Sequence, residues 1–349
     1  MNSFEFQATG IGSLGHVNSK EAVSFVLELF PEIPFWVQLP QRSFKENMYV
    51  QFSEGIPGIV IKEEERKIYI DSRKINEDNL SALYENYLAG KTELFGISKE
   101  YAEGFYEFIE QIKGKKIPCS FLKGQITGPV SFMLTVTDEG KKPIIYHEQI
   151  ADAVLKVITM KARWQIKRLK EVSQKTIIFI DEPYLASLGS GYVSLDSRDV
   201  WEKLEELIEE IHKENALAGI HCCGNTDWGL LTQTKADIIS FDAYNFSESL
   251  VVYSEAINVF LERGGVIAWG IVPTELEEGR IVTSDLLERL VGLIEMLVAK
   301  GVERNLIYKQ SLITPSCGLG SFSLRRGEVV LRITSQLSQK IRGKLSLIR

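Results

Sequence analysis

Short unbroken apolar runs and longer stretches of helical period take turns along almost the whole chain. An extended run over residues 7–13 ends in Thr9-Gly10-Ile11-Gly12-Ser13, where the glycines allow a tight turn after a strand. Helical period follows over residues 19–30, with Ser19 as the expected N-cap, and residues 34–40 give a second strand closed by proline. Residues 41–76 are mixed, and Pro57-Gly58-Ile59-Val60-Ile61 with Lys67-Ile68-Tyr69-Ile70-Asp71 predicts a small hairpin-like insertion. Helices over 77–89 and 99–113 precede a third strand over 117–125, which closes at Thr127-Gly128-Pro129. A long amphipathic helix over 146–172 leads to the apolar strand 176–180, ended by Asp181-Glu182-Pro183. Such unbroken apolar runs belong to strands covered on both faces.

The second half repeats this rhythm. Helices over 198–215, just after Asn225, over 249–263 and over 284–300 alternate with strands ending near His221, Asp242, Gly270 and Thr314, before a last helix over 324–340. Eight strands, each followed by helical material, predict an α/β fold: a single (β/α)8 TIM barrel over residues 1–349, with the small insertion after the second strand. The rival doubly wound sheet would carry a glycine-rich phosphate fingerprint after a strand, and none is present. In a barrel of this kind reactive groups sit where strands end. Ser13, Asp181, His221, Cys223, Asp242 and Cys317 all fall at or just past the carboxyl end of a predicted strand.

Composition narrows the function. With 44% hydrophobic and 25% charged residues among 349, the chain has the balance of a globular protein. A formal net charge of -7, with Lys and Arg dispersed, argues against a nucleic-acid partner. No leader-like segment and no apolar run near the roughly 20 residues needed to span a bilayer is visible, so no membrane partner and a cytoplasmic location are expected. Four cysteines in this length do not form a disulfide framework.

The chemistry gathers at Gly219-Ile220-His221-Cys222-Cys223-Gly224-Asn225. On an extended strand His221 and Cys223 point to one side and Cys222 to the other, so the first two can share an ion. Cys317, in a similar turn after a strand, offers another thiolate. One His and two Cys suit zinc at a site with an open position, whereas paired CxxC knuckles of structural zinc are missing. The competing reading is that these cysteines are small buried hydrophobes and that the histidine satisfies a backbone group.

Taken in order, Ile11-Gly12-Ser13, Ile126-Thr127-Gly128-Pro129-Val130, Ile180-Asp181-Glu182-Pro183, His221-x-Cys223 and Ser316-Cys317-Gly318-Leu319 resemble the catalytic barrel of cobalamin-independent methionine synthase. They are also similar to the wider group of uroporphyrinogen decarboxylase and the zinc-dependent corrinoid:thiol methyltransferases, and the likeness spans nearly the whole chain. The resemblance implies a barrel in which zinc binds a substrate thiol as thiolate for attack on a methyl group. It assigns zinc to His221, Cys223 and Cys317, with Asp242 in the place of a fourth, glutamate ligand. It assigns Ser13 and Asp181 to the carboxylate and amino ends of a substrate such as homocysteine.

The departures from the pattern direct the expected chemistry. Where the folate-using synthases carry a second amine-binding glutamate, the register places Arg42, which favours an anionic acceptor. Thr135 stands where they carry a tryptophan that stacks on folate, and Gly270 near the place of a proton-donating histidine. A folate leaving group needs a proton, whereas cob(I)alamin leaves without one. The implied activity is therefore a zinc-dependent S-methyltransferase that moves a methyl group to a small thiol from a corrinoid, on a partner protein or free as methylcobalamin. Two alternatives stay open: a metal-free decarboxylase of the uroporphyrinogen type, and a non-catalytic zinc- or corrinoid-binding module.

Overall fold

The computed structural model describes residues 3–115, 117–188, 195–275 and 282–346, without the side chains of residues 345 and 346. In chain order its strands are β1 (Gln7–Ala8), β2 (Ile59–Lys62), β3 (Lys67–Ile70), β4 (Leu122–Thr127), β5 (Thr137–Asp138), β6 (Thr176–Asp181), β7 (Leu217–Cys222), β8 (Ile238–Phe241), β9 (Val266–Val272) and β10 (Ser311–Pro315). Seven of them form one curled sheet in the order β1-β10-β9-β8-β7-β6-β4, and every pairing in it is parallel. Helices between consecutive strands cover its outer face, which gives the alternating α/β architecture expected from the pattern.

The expected second strand, residues 34–40, is not a regular strand. It makes two isolated parallel bridges, Phe35 to Lys123 on β4 and Gln38 to Ser13 just beyond β1. Trp36 N donates to Lys123 O at 2.9 Å and Gln38 N to Gly12 O at 3.1 Å, so one short segment meets both edges of the sheet. Pro34 and Pro40 lack the N–H that would extend either ladder.

The insertion after this segment is a real hairpin. β2 and β3 pair antiparallel, with Ile59 opposite Ile70, and β5 adds a third, parallel strand. Its tight turn ends at Arg66, whose φ of 49° lies in the left-handed region and whose N–H donates to Glu63 O at 3.0 Å.

Several helix details differ from the pattern. The first helix, Ser19–Leu29, is capped by Asn18, whose side chain accepts from Lys20 N and Glu21 N, while Ser19 instead donates to Glu103 at 3.0 Å. The expected helix over 249–263 is two, Ser247–Val252 and Ser254–Glu262, parted at Tyr253. An additional helix, Arg304–Lys309, precedes β10. Among the described residues no helix is long and apolar enough to cross a membrane.

Alternation along the strands sorts side chains into two sets. Ile178, Ile180, Ile220, Ile239, Phe241, Ile267, Trp269 and Ile313 join the large core beneath the helices. Phe121, Ile177, Phe179, Ile238, Val266, Ala268 and Leu312 form a smaller core inside the curl. Counting on in twos from the inner set leads to Asp181, His221 and Ser240 at the carboxyl ends of β6, β7 and β8. The fold thus aims polar groups of neighbouring strands at one place.

Candidate metal and thiol site

His221, Cys223 and Cys317 come together there. One ligand atom from each, the imidazole nitrogen and two sulfurs, lies within 4.8 Å of the others. His221 and Cys223 arrive from the end of β7, and Cys317 from the turn after β10, on the opposite flank of β8 and β9.

Each ligand is held by its surroundings. His221 is 4% exposed, its Nδ1 lies 2.9 Å from Ser240 Oγ on the next strand, and its buried Nε2 has no hydrogen-bond partner. In the tautomer whose Nδ1 proton is donated to Ser240, Nε2 would be a free lone pair, the arrangement of a metal-ligating histidine. The Cys317 turn is braced from the first strand's loop: Ser13 Oγ accepts from Gly320 N at 3.1 Å and Ser13 O from Leu319 N at 2.9 Å. A Cβ on Gly318 would lie 2.4 Å from Ser13 Oγ, so a side chain there would push that hydroxyl off Gly320 N.

The two thiols polarise one another. The Cys317 thiol beside it holds the Cys223 thiol below the ordinary cysteine range, against the effect of burial and with help from His221. Cys317 is pushed up in turn by the Cys223 thiolate and by burial. Cys222 points away, and burial raises it to about 12, as befits a packing residue.

The cluster opens into a cavity of about 440 Å³ bordered by Ser13, Gln38, Gln41, Glu46, Arg66 and Asp181 among others. Ser13 and Asp181, expected at the substrate, both line it. Asp181 is raised chiefly by burial, and its Oδ1 has no hydrogen-bond partner. Lys123, fully buried on the same inner face, is lowered by burial and donates to Ile11 O at 2.7 Å over the Phe179 ring.

Two expected residues stand apart. Asp242 is outside the ligand cluster, and its carboxylate accepts from Tyr244 N, Asn245 N and Asn245 Nδ2 at 3.0, 2.8 and 2.7 Å, which engages it in its own loop. Arg42 is not among the cavity-lining residues. Its guanidinium is paired with Glu46 at 2.5 Å and Glu103 at 2.6 Å.

Ser240 and Arg66 were missed by sequence reasoning. For Ser240 a signal existed, a lone hydroxyl in the apolar run Ile238-Ile239-Ser240-Phe241; for Arg66, inside the charged stretch Lys62-Glu63-Glu64-Glu65-Arg66-Lys67, none did. The paired motifs have a structural meaning as well. Glu182 Oε1 accepts from Val130 N at 2.9 Å, and Oε2 from Ser131 N at 2.8 Å, so the Asp-Glu-Pro loop caps the helix Pro129–Thr135 that the Thr-Gly-Pro motif begins.

Neither a protein-family model nor a curated protein sequence matches the chain. Among solved structures, a methyltransferase from Methanosarcina mazei matches with a TM-score of 0.55 over 98% of this chain and 94% of that chain, at 12% identity. A protein from Coccidioides immitis described as a fructose-1,6-biphosphate aldolase covers 70% of this chain and 86% of its own at 11% identity; its TM-score of 0.29 is too low to carry an argument. At such identities the first likeness is one of fold, and it places the chain among α/β proteins built on a curled parallel sheet.

Proposed function

We propose that this chain is a zinc-dependent methyltransferase that moves a methyl group from a corrinoid donor to a small thiol, such as homocysteine or an acidic mercaptan. One observation carries the reading: a ring nitrogen of buried His221 and the sulfurs of Cys223 and Cys317 lie within 4.8 Å of one another beside a cavity, and His221 Nε2 has no hydrogen-bond partner. Nitrogen and two sulfurs are zinc's donor set. The methyltransferase of like fold supports the reaction class.

In this reading His221 Nε2, Cys223 Sγ and Cys317 Sγ would hold the metal. With Asp242 engaged in its loop, three protein donors leave a coordination position for the acceptor. Bound zinc would supply Lewis acidity, keeping a substrate thiol, ordinarily near pKa 8.5, as thiolate at neutral pH. Ser240 orients the imidazole, Ser13 fixes the Cys317 turn, and Asp181 offers a free carboxylate oxygen to the bound acceptor. The donor, on a partner corrinoid protein or as free methylcobalamin, would approach from the solvent side of the cavity.

A leaving group that needs no proton suits what stands near the position of the synthases' histidine. Gly270 could carry no side chain without rearrangement, since a Cβ there would lie 2.3 Å from Phe241 O. We read residues 34–40 as the eighth stave of a TIM barrel, its two bridges standing in for a ladder. A cytoplasmic location would keep the four free cysteines reduced.

Elemental analysis of the purified protein, followed by the visible spectrum of methylcobalamin in the presence of a thiol panel, tests the proposal. Zinc near one equivalent and thiol-dependent demethylation are expected. A protein that takes up no zinc, or demethylates with none of the thiols, refutes it.

A further inference from the structure

We propose that Arg66, delivered by the tip of the β2–β3 hairpin, is the residue that reads the anionic end of the acceptor thiol and so sets the preference among thiols. This inference rests on the thiol reading above. Its ground is an imbalance of charge around one rim. Arg42 is held by Glu46 and Glu103, Lys45 by Glu63 and Glu100, and Lys62 and Lys67 by Glu65. Arg66 borders the cavity, yet no carboxylate of the described residues pairs with it.

Its placement is nonetheless built. The guanidinium stacks on Phe44 at 5.0 Å from the ring centroid, and the tight turn with φ of 49° sets the direction in which the side chain leaves the backbone. The Glu65 and Glu63 pairs anchor the flanking residues and draw both carboxylates away from Arg66. The result is a planar fork of donors, exposed at the outer end of a cavity whose inner end holds buried Asp181 and His221. A small thiol with its sulfur at the His221, Cys223 and Cys317 cluster directs its other end toward this rim, where the guanidinium matches a carboxylate or sulfonate in two hydrogen bonds. Arg42, the cation the sequence put forward for this task, already has both its acceptors.

Calorimetric titration of 3-mercaptopropionate and of uncharged 2-mercaptoethanol into the zinc-supplemented protein, with no methyl donor present, tests the inference. The parent is expected to bind the anionic thiol more tightly, and Arg66→Gln to lower the ratio of the two affinities about tenfold, a usual size for one exposed charge-assisted contact. Absence of preference in the parent, an unchanged ratio in Arg66→Gln, or an equal fall in Arg42→Gln would each overturn it. Because binding is read without methyl transfer, a protein that binds anionic thiols through Arg66 but demethylates nothing refutes the proposed activity while leaving this inference standing.

Discussion

His221 Nδ1 lies 2.9 Å from Ser240 Oγ, and the two residues are direct partners in the parallel pairing of β7 and β8. A backbone ladder therefore holds the two residues side by side, and the hydroxyl reaches the ring within that spacing. Removing it should free the imidazole to rotate and change tautomer. We expect Ser240→Ala to weaken zinc binding about ten- to a hundredfold, the usual cost of losing a partner behind a metal-ligating histidine. Competition with a chromophoric chelator measures this, and unaltered affinity would show that the pairing does not orient the ring.

Cys317 contributes its sulfur from the half-buried turn after β10, outside the packed strands. Cys317→Ser should lose tight zinc binding while keeping the parent's far-ultraviolet circular dichroism. Full zinc occupancy in this variant would remove Cys317 from the site.

Glu46 lines the cavity beneath Arg42, and burial raises it to about 7 even though Arg42 and Leu39 N lower it. The ordinary glutamate value is 4.5, so between the two values the folded chain holds more protons than the unfolded one. The contribution of this group is thus complete below the lower value and lost as pH rises through the higher one, with a slope of at most about 1.4 kcal/mol per pH unit. Glu46→Gln should flatten this part of the stability profile. Urea unfolding of parent and variant from pH 5 to 8 compares the slopes, and parallel curves would contradict the assignment.

Gly128 opens the helix Pro129–Thr135, and a Cβ there would lie 2.1 Å from Glu182 Cδ. That carboxyl group caps the helix and cannot move aside without losing Val130 N and Ser131 N. Gly128→Ala should destabilise the protein by about 2 kcal/mol, the range of overpacking in a dense interior. A shift in the urea midpoint measures it; stability equal to the parent's would show that the loop yields freely.

The local part of this site was legible from residue order. Alternation put His221 and Cys223 on one side and Cys222 on the other, and the unbroken apolar runs around residues 176–180 and 266–270 marked strands covered on both faces. Parallel strands with helical returns then bring their carboxyl ends to one side, which is why residues far apart in the chain could be grouped before any contact was known. Ser13, Asp181, His221, Cys223 and Cys317 do border one cavity.

What order along the chain did not determine is where long side chains and short irregular segments go. Asp242 follows a strand as a ligand would, but Asn245, three residues on, holds it in a loop cap. Arg42 faces Glu46 one helical turn away and Glu103 from a distant helix, so its charge is answered before it can reach the cavity. Residues 34–40 carry the composition of a strand, yet two prolines reduce them to isolated bridges. Arg66 arrives from an inserted hairpin with no periodic relation to the strands of the parallel sheet, and its free fork depends on which partners its neighbours have already taken. Hydrophobic period acts through backbone geometry and is local, so the sequence alone determines the elements and their inward faces. The pairing of charges depends on distances across the fold, which only the tertiary structure decides.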